Sequence, residues 1–218
     1  MKHPAFPYIA PMALFLVFLV VGHSLGLGMW EYPFRFLVLA AVLWLCSRHV
    51  VSLAVKSWLG SIGVGVAVFV IWVAPDLLWP GYRSHWIFEN HLTGEVASSF
   101  PEQYRDSVLA LVFRCARAAI LVPIIEEIFW RSWLMRWLIK PNFESVPLGT
   151  YQSQAFWITA VLFAVEHGSF WEVGLIAGVI YNLWMIRTRS LGDCILAHAV
   201  TNGILSAYVI AGGHWQYW

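Results

Sequence analysis

Three consecutive stretches, approximately Tyr8 to Gly28, Phe34 to Val55 and Trp58 to Trp79, are apolar almost throughout. Each is about 20 residues long, which as an α-helix rises about 30 Å, the thickness of a bilayer's hydrocarbon core. Lipid supplies no hydrogen-bond partners, so a spanning chain must satisfy its own backbone as a helix or closed barrel. Runs of this length specify helices. The composition agrees, at 60% hydrophobic and 11% charged, against about 25% charged in soluble chains. It excludes a soluble core, a disordered chain and a basic nucleic-acid binder; 13 Lys+Arg stand against 12 Asp+Glu. The expectation is an all-α polytopic membrane helix bundle, a single domain over residues 1–218 without internal repeats.

The first three spans take up residues 8–79. Residues 80–105 form the one long outer connection, carrying Arg83, Glu89, Asn90, Glu95 and Glu102, with Trp79, Tyr82, Trp86 and Phe88 expected at the membrane interface. Residues 106–211 contain the remaining spans. Asp106 to Lys140 is apolar in background but holds Arg114, Arg117, Glu126, Glu127, Arg131 and Arg136, and Pro123 is expected to kink it. Three shorter segments follow, Gln154 to His167, Trp171 to Arg187 and Cys194 to Ala211, making about seven transmembrane helices with a kinked fourth. With the N-terminus cytoplasmic, Lys2, Arg48, Lys56, Arg136, Lys140, Arg187 and Arg189 lie inside and only Arg35, Arg83 and Arg105 outside, as the positive-inside rule requires. That predicts a multi-pass protein of the cell (cytoplasmic or inner) membrane. The first segment is too long for a signal peptide's apolar region and is expected to be retained. Cys46, Cys115 and Cys194 read as buried thiols.

Ionisable side chains inside a bilayer persist when they are paired or needed for function. Three groups qualify. Glu126 and Glu127 are neighbours about 100° apart on a helix, so they face different ways; Glu127 has Arg131 at i+4, the spacing of a helical ion pair, and Glu126 is left to face a cavity. Phe163 and His167 share a face by the same spacing, as do His198 and Asn202. One carboxylate, two imidazoles and an amide from three helices suit hydrolysis, with a base taking a proton from water and donors holding an oxyanion.

In order and spacing these motifs, E-E-x-x-x-R, F-x-x-x-H and H-x-x-x-N, resemble the CPBP family, the CAAX proteases and bacteriocin-processing enzymes that include the Rce1-type prenyl-protein endopeptidases, here of bacterial type. The resemblance covers about the last half of the chain. It implies an intramembrane glutamate-type endopeptidase cleaving a membrane-anchored or lipid-modified protein or peptide, with no cofactor. Glu126 would be the general base, His167 its assistant, and His198 and Asn202 the oxyanion hole, with Glu127 and Arg131 a structural ion pair.

Alternatives are a zinc-dependent version with Glu126, His167 and His198 as ligands, a non-catalytic scaffold or immunity protein of the same fold, and a transporter using these charges as a proton relay. The H-x-x-E-H pattern fails because position 163 is Phe, and no G-x-S-x-G elbow occurs. Cys194 and His198 permit a thiol dyad on paper but leave Glu126 unexplained. Arg114 and Arg117 read as snorkelling side chains, with contact to a substrate carboxylate as the alternative. Glu166 and Glu172 are expected to be solvated at an outer turn; His3, His49, His85, His91 and His214 are expected at the surface, and His23 against a neighbouring helix. Counted from the cytoplasmic ends, Glu126 and His167 lie about 20 Å deep while His198 is only a few residues in. Their convergence requires a tilt, a kink, or a last helix that begins before Cys194.

Overall fold

The computed structural model describes residues 3–21, 26–91 and 93–218, so the expectations for Lys2 and His23 fall outside the described residues. Among these residues there are seven main helices and no strand: α1 Phe6–Val21, α2 Gly28–Ser47, α3 Trp58–Leu78, α4 Val108–Trp137, α5 Ser153–Glu166, α6 Trp171–Thr188 and α7 Leu191–Gly212. Five are long and apolar enough to cross a membrane, α1 and α5 being shorter. The chain is a multi-pass membrane protein built as a helical bundle. Its outward faces carry apolar side chains such as Val20, 83% exposed, and Leu59, 87% exposed, which in a bilayer meet lipid rather than water.

Of the boundaries that differ from the sequence reading, two bear on the candidate site. The second helix ends at Ser47 rather than near Val55, because the following apolar segment is engaged as a strap. Asp193 accepts hydrogen bonds from the backbone N–H groups of Lys56 (2.7 Å) and Ser57 (2.8 Å), and Ser190 Oγ donates to the Ala54 carbonyl at 2.9 Å. The same contacts start the last helix early. Ser190 Oγ caps α7 by accepting from Asp193 N, so α7 begins at Leu191 and is longer than expected, adding about 4.5 Å of helix below His198 compared with a start at Cys194.

Helix α7 is central, packing against α3, α4 and α6, while α5 pairs with α6 and α1 lies against α2 and α4. Its approach to α3 depends on Gly65. A Cβ there would press on the Ala197 carbonyl and lie 2.7 Å from Val200 Cβ, and Thr201 Oγ1 donates to the Gly65 carbonyl at 2.8 Å. Gly65→Val is therefore expected to destabilise by about 1–3 kcal/mol through overpacking, read as a lower melting temperature in detergent.

Residues 79–107 cap one end of the bundle, fastened by Arg83. This residue marks an outer loop in the sequence reading but is buried. Its Nε donates to Asp76 Oδ2 at 2.9 Å, its Nη1 lies 2.8 Å from both the Ser169 carbonyl and Glu172 Oε1, and its guanidinium sits 4.0 Å from the Phe170 ring centre. Glu172 is thus ion-paired rather than solvated. Trp79 and Trp86 are exposed as an interface position requires, whereas Phe88 is buried against Tyr82 and Trp171. His3, His49, His85 and His91 are exposed, and His214 is half-buried against Tyr208. Cys194 is buried and Cys46 and Cys115 are half-buried, all three as free thiols.

Candidate active site

The hydrogen-bond register of α4 changes around Pro123. Two π-helical stretches flank it, Arg117–Leu121 and Ile128–Leu134. The Val122 N–H reaches back to the Arg117 carbonyl; in that register the next carbonyl, Ala118, would take its proton from residue 123, and proline has none. Asn202 Nδ2 on α7 donates to Ala118 O instead, at 2.9 Å. The helix irregularity therefore positions one of the predicted site residues.

The second π-helical stretch follows Glu126 and Glu127. As expected, the two carboxylates separate. Glu127 is fully buried and its Oε1 accepts from Arg131 Nη1 at 3.1 Å and from His198 Nδ1 at 2.9 Å. A carboxylate can only accept, so His198 Nδ1 carries a proton and its Nε2 points the other way, 3.9 Å from Glu126 Oε2. Glu127 is more than half of a structural ion pair, since it also orients His198. Arg131, fully buried as well, extends the network by donating from Nε to Asn182 Oδ1 at 3.1 Å, while Asn182 Nδ2 donates to the Phe156 carbonyl at 3.0 Å. Helices α4, α5, α6 and α7 are tied together through these four side chains.

His167 is the first residue beyond α5. Its Nδ1 donates to the Phe163 carbonyl at 2.7 Å, leaving Nε2 with a free lone pair. Phe163 stands between the two histidines, 4.6 Å from the His167 ring and 6.2 Å from that of His198. Trp72 covers His167 from α3 at 5.1 Å, and Tyr181 stacks on His198 at 5.1 Å while its hydroxyl donates to Thr201 Oγ1 at 2.8 Å. The chain turns at Gly168, where φ is +54° and a Cβ would come within 2.9 Å of the Thr93 carbonyl; both conditions call for glycine.

Glu126, His167, His198 and Asn202 all line one cavity of about 520 Å³, together with Phe163 and Glu166. Glu126 is 3% exposed and its Oε2 has no hydrogen-bond partner. Glu166, expected to be solvated, is half-buried against this cavity because α5 ends beside it. Arg117, expected to snorkel, is instead 6% exposed and faces the same cavity, because it sits on the inward side of α4. Arg114 is half-buried and also lines it. Although the three residues of the zinc alternative share the cavity, the described residues include no group of three His, Cys, Asp or Glu side chains that could hold a metal ion.

Sequence reasoning missed Asn182, Tyr181 and Trp72. Asn182 had a signal, being an uncharged polar residue within an apolar span, which in lipid calls for a partner. Tyr181 and Trp72 had none, because an aromatic residue in a membrane helix is ordinary.

Residues 108–204 match one family, described as Rce1-like: Type II CAAX prenyl endopeptidase Rce1-like. The matched region runs from the start of α4 into α7 and contains every candidate site residue. No curated protein and no solved structure matches the chain.

Proposed function

We propose that this chain, whose residues 108–204 match the Rce1-like CAAX prenyl endopeptidase family, is an intramembrane endopeptidase that hydrolyses a peptide bond in a membrane-anchored or lipid-modified substrate by a metal-independent, glutamate-type mechanism. The observation that carries it is the unpartnered Glu126 carboxylate oxygen facing a cavity shared with His167, His198 and Asn202. A carboxylate left without a partner in such a place is costly unless it has work to do.

Water entering the cavity gives a proton to Glu126, and its oxygen attacks the scissile carbonyl carbon. His167 supports that transfer, since its Nε2 lone pair is available to accept a hydrogen bond or proton. The oxyanion then takes hydrogen bonds from His198 and from the second amide proton of Asn202, the first being spent on Ala118. His198 donates from Nε2 only as an imidazolium, because Nδ1 already donates to Glu127, and that carboxylate offsets the imidazolium charge. Collapse of the tetrahedral intermediate breaks the C–N bond, and the proton held by Glu126 passes to the leaving amine. The membrane is proposed to be the cell's cytoplasmic or inner membrane, with the N-terminus cytoplasmic.

The test compares membrane proteomes of cells making the wild-type chain and the Glu126→Gln variant at equal abundance. New protein termini present only with the wild type identify the substrates. Wild-type profiles identical to those of cells lacking the chain would overturn the protease reading in favour of a scaffold.

A further inference from the structure

The catalytic cavity continues past Glu126 towards the capped end of the bundle, where three arginines border it: Arg35 from α2, and Arg114 and Arg117 from α4. Arg35 is paired with Glu31 one turn earlier. Arg114 is held by Ser99, to whose Oγ its Nη2 donates at 3.3 Å, and by the Trp218 ring, whose centre lies 4.8 Å from the guanidinium carbon. Arg117 has no such support. It is 6% exposed, and its Nη1 has no hydrogen-bond partner. Among the described residues neither Arg114 nor Arg117 makes an ion pair.

An arginine keeps its charge in any protein environment, and a desolvated guanidinium that no carboxylate contacts is costly as mere packing; Glu31, which acts on Arg117 through space, is itself ion-paired with Arg35. The fork of donors on Arg117 fits a planar two-oxygen anion. Nine residues separate Arg117 from Glu126 along α4, about 13 Å, which an extended peptide covers in about four residues.

We propose that Arg117, backed by Arg114 and Arg35, binds a carboxylate of the substrate about four residues from the scissile bond, on the side facing the capped end. This rests on the protease reading and adds to it a specificity determinant. The carboxylate is an acidic side chain or the substrate's own C-terminal group, and both present the same chemistry to Arg117.

The test starts from the substrate cleaved most abundantly by the wild-type protein in the terminus comparison, reconstituted with purified full-length protein in phosphatidylcholine vesicles. That substrate is remade in two ways, with any Asp or Glu three to five residues from the cleaved bond changed to the amide, and with its C-terminus amidated. One of the two changes is expected to lower kcat/KM at least tenfold. Arg117→Gln should lower it as far on the unaltered substrate, with no further loss when the two changes are combined, and Arg117→Lys should fall between. If neither substrate change matters while cleavage proceeds, this inference is overturned and the protease reading stands. If the wild-type protein cleaves nothing, both fall. A rise in melting temperature when phosphatidylglycerol replaces phosphatidylcholine, lost in Arg117→Gln and without any carboxylate preference in cleavage, assigns the cluster to a lipid phosphate and overturns the substrate role.

Discussion

Glu126→Gln is expected to lower hydrolysis about 10²–10⁴-fold, the usual contribution of a general base, without lowering the melting temperature in detergent. The carboxamide is nearly isosteric, so packing around position 126 is unchanged. It has no basic oxygen with which to take a proton from water. Stability should not suffer, because Glu126 Oε2 makes no hydrogen bond in the folded protein, and replacing a buried charge with a neutral amide removes a desolvation cost. Terminus mapping and a thermal melt on the same preparation read both outcomes together. Retained activity would show that another group is the base.

Arg131→Met is expected to have the largest effect on stability, about 3–5 kcal/mol, the usual cost of removing one partner from a buried ion pair. Arg131 and Glu127 are both fully buried, and Arg131 also donates to Asn182, so the substitution leaves the Glu127 carboxylate with His198 alone and strands an amide oxygen. The double variant Arg131→Met with Glu127→Leu should recover much of the lost stability, because two apolar side chains replace a pair that was costly to desolvate. It should not recover hydrolysis. His198 loses the acceptor that fixes its Nδ1 proton and aims Nε2 at Glu126. A purely structural role for the pair predicts that activity returns with stability, so comparing melting temperature with rate in the double variant separates the two roles.

Much of the fold was legible in the chain because lipid allows so few solutions. Seven apolar segments were countable, and each overlaps one of the seven helices. Their ends were less so. The stretch after Ser47 is apolar and reads as more helix, yet Asp193, 137 residues after Lys56, turns it into a strap, and no local pattern announces a partner so distant. The α5 turn shows the same limit: Glu166 and Glu172 look alike beside a loop, and only Arg83 folding back from the cap makes one an ion-pair partner while the other borders the cavity.

The site divides along a similar line. Helical periodicity put Glu127 with Arg131, Phe163 with His167 and His198 with Asn202, since residues four apart on a helix must share a face, and it put Glu126 on a different side from Glu127. Sequence alone thus determined which residues are exceptional and how they pair within each helix, because a charge within apolar surroundings demands a reason wherever the helix sits. Tertiary structure decided how the helices join: that His198 leans on Glu127, that Asn202 takes the carbonyl Pro123 leaves without a donor, and that Arg117 faces inward without a direct ion pair. Those facts depend on the offset and rotation of one helix against another. Such offsets are set by close contacts such as Gly65 against Ala197, between residues far apart in the chain, and one-dimensional spacing does not encode them.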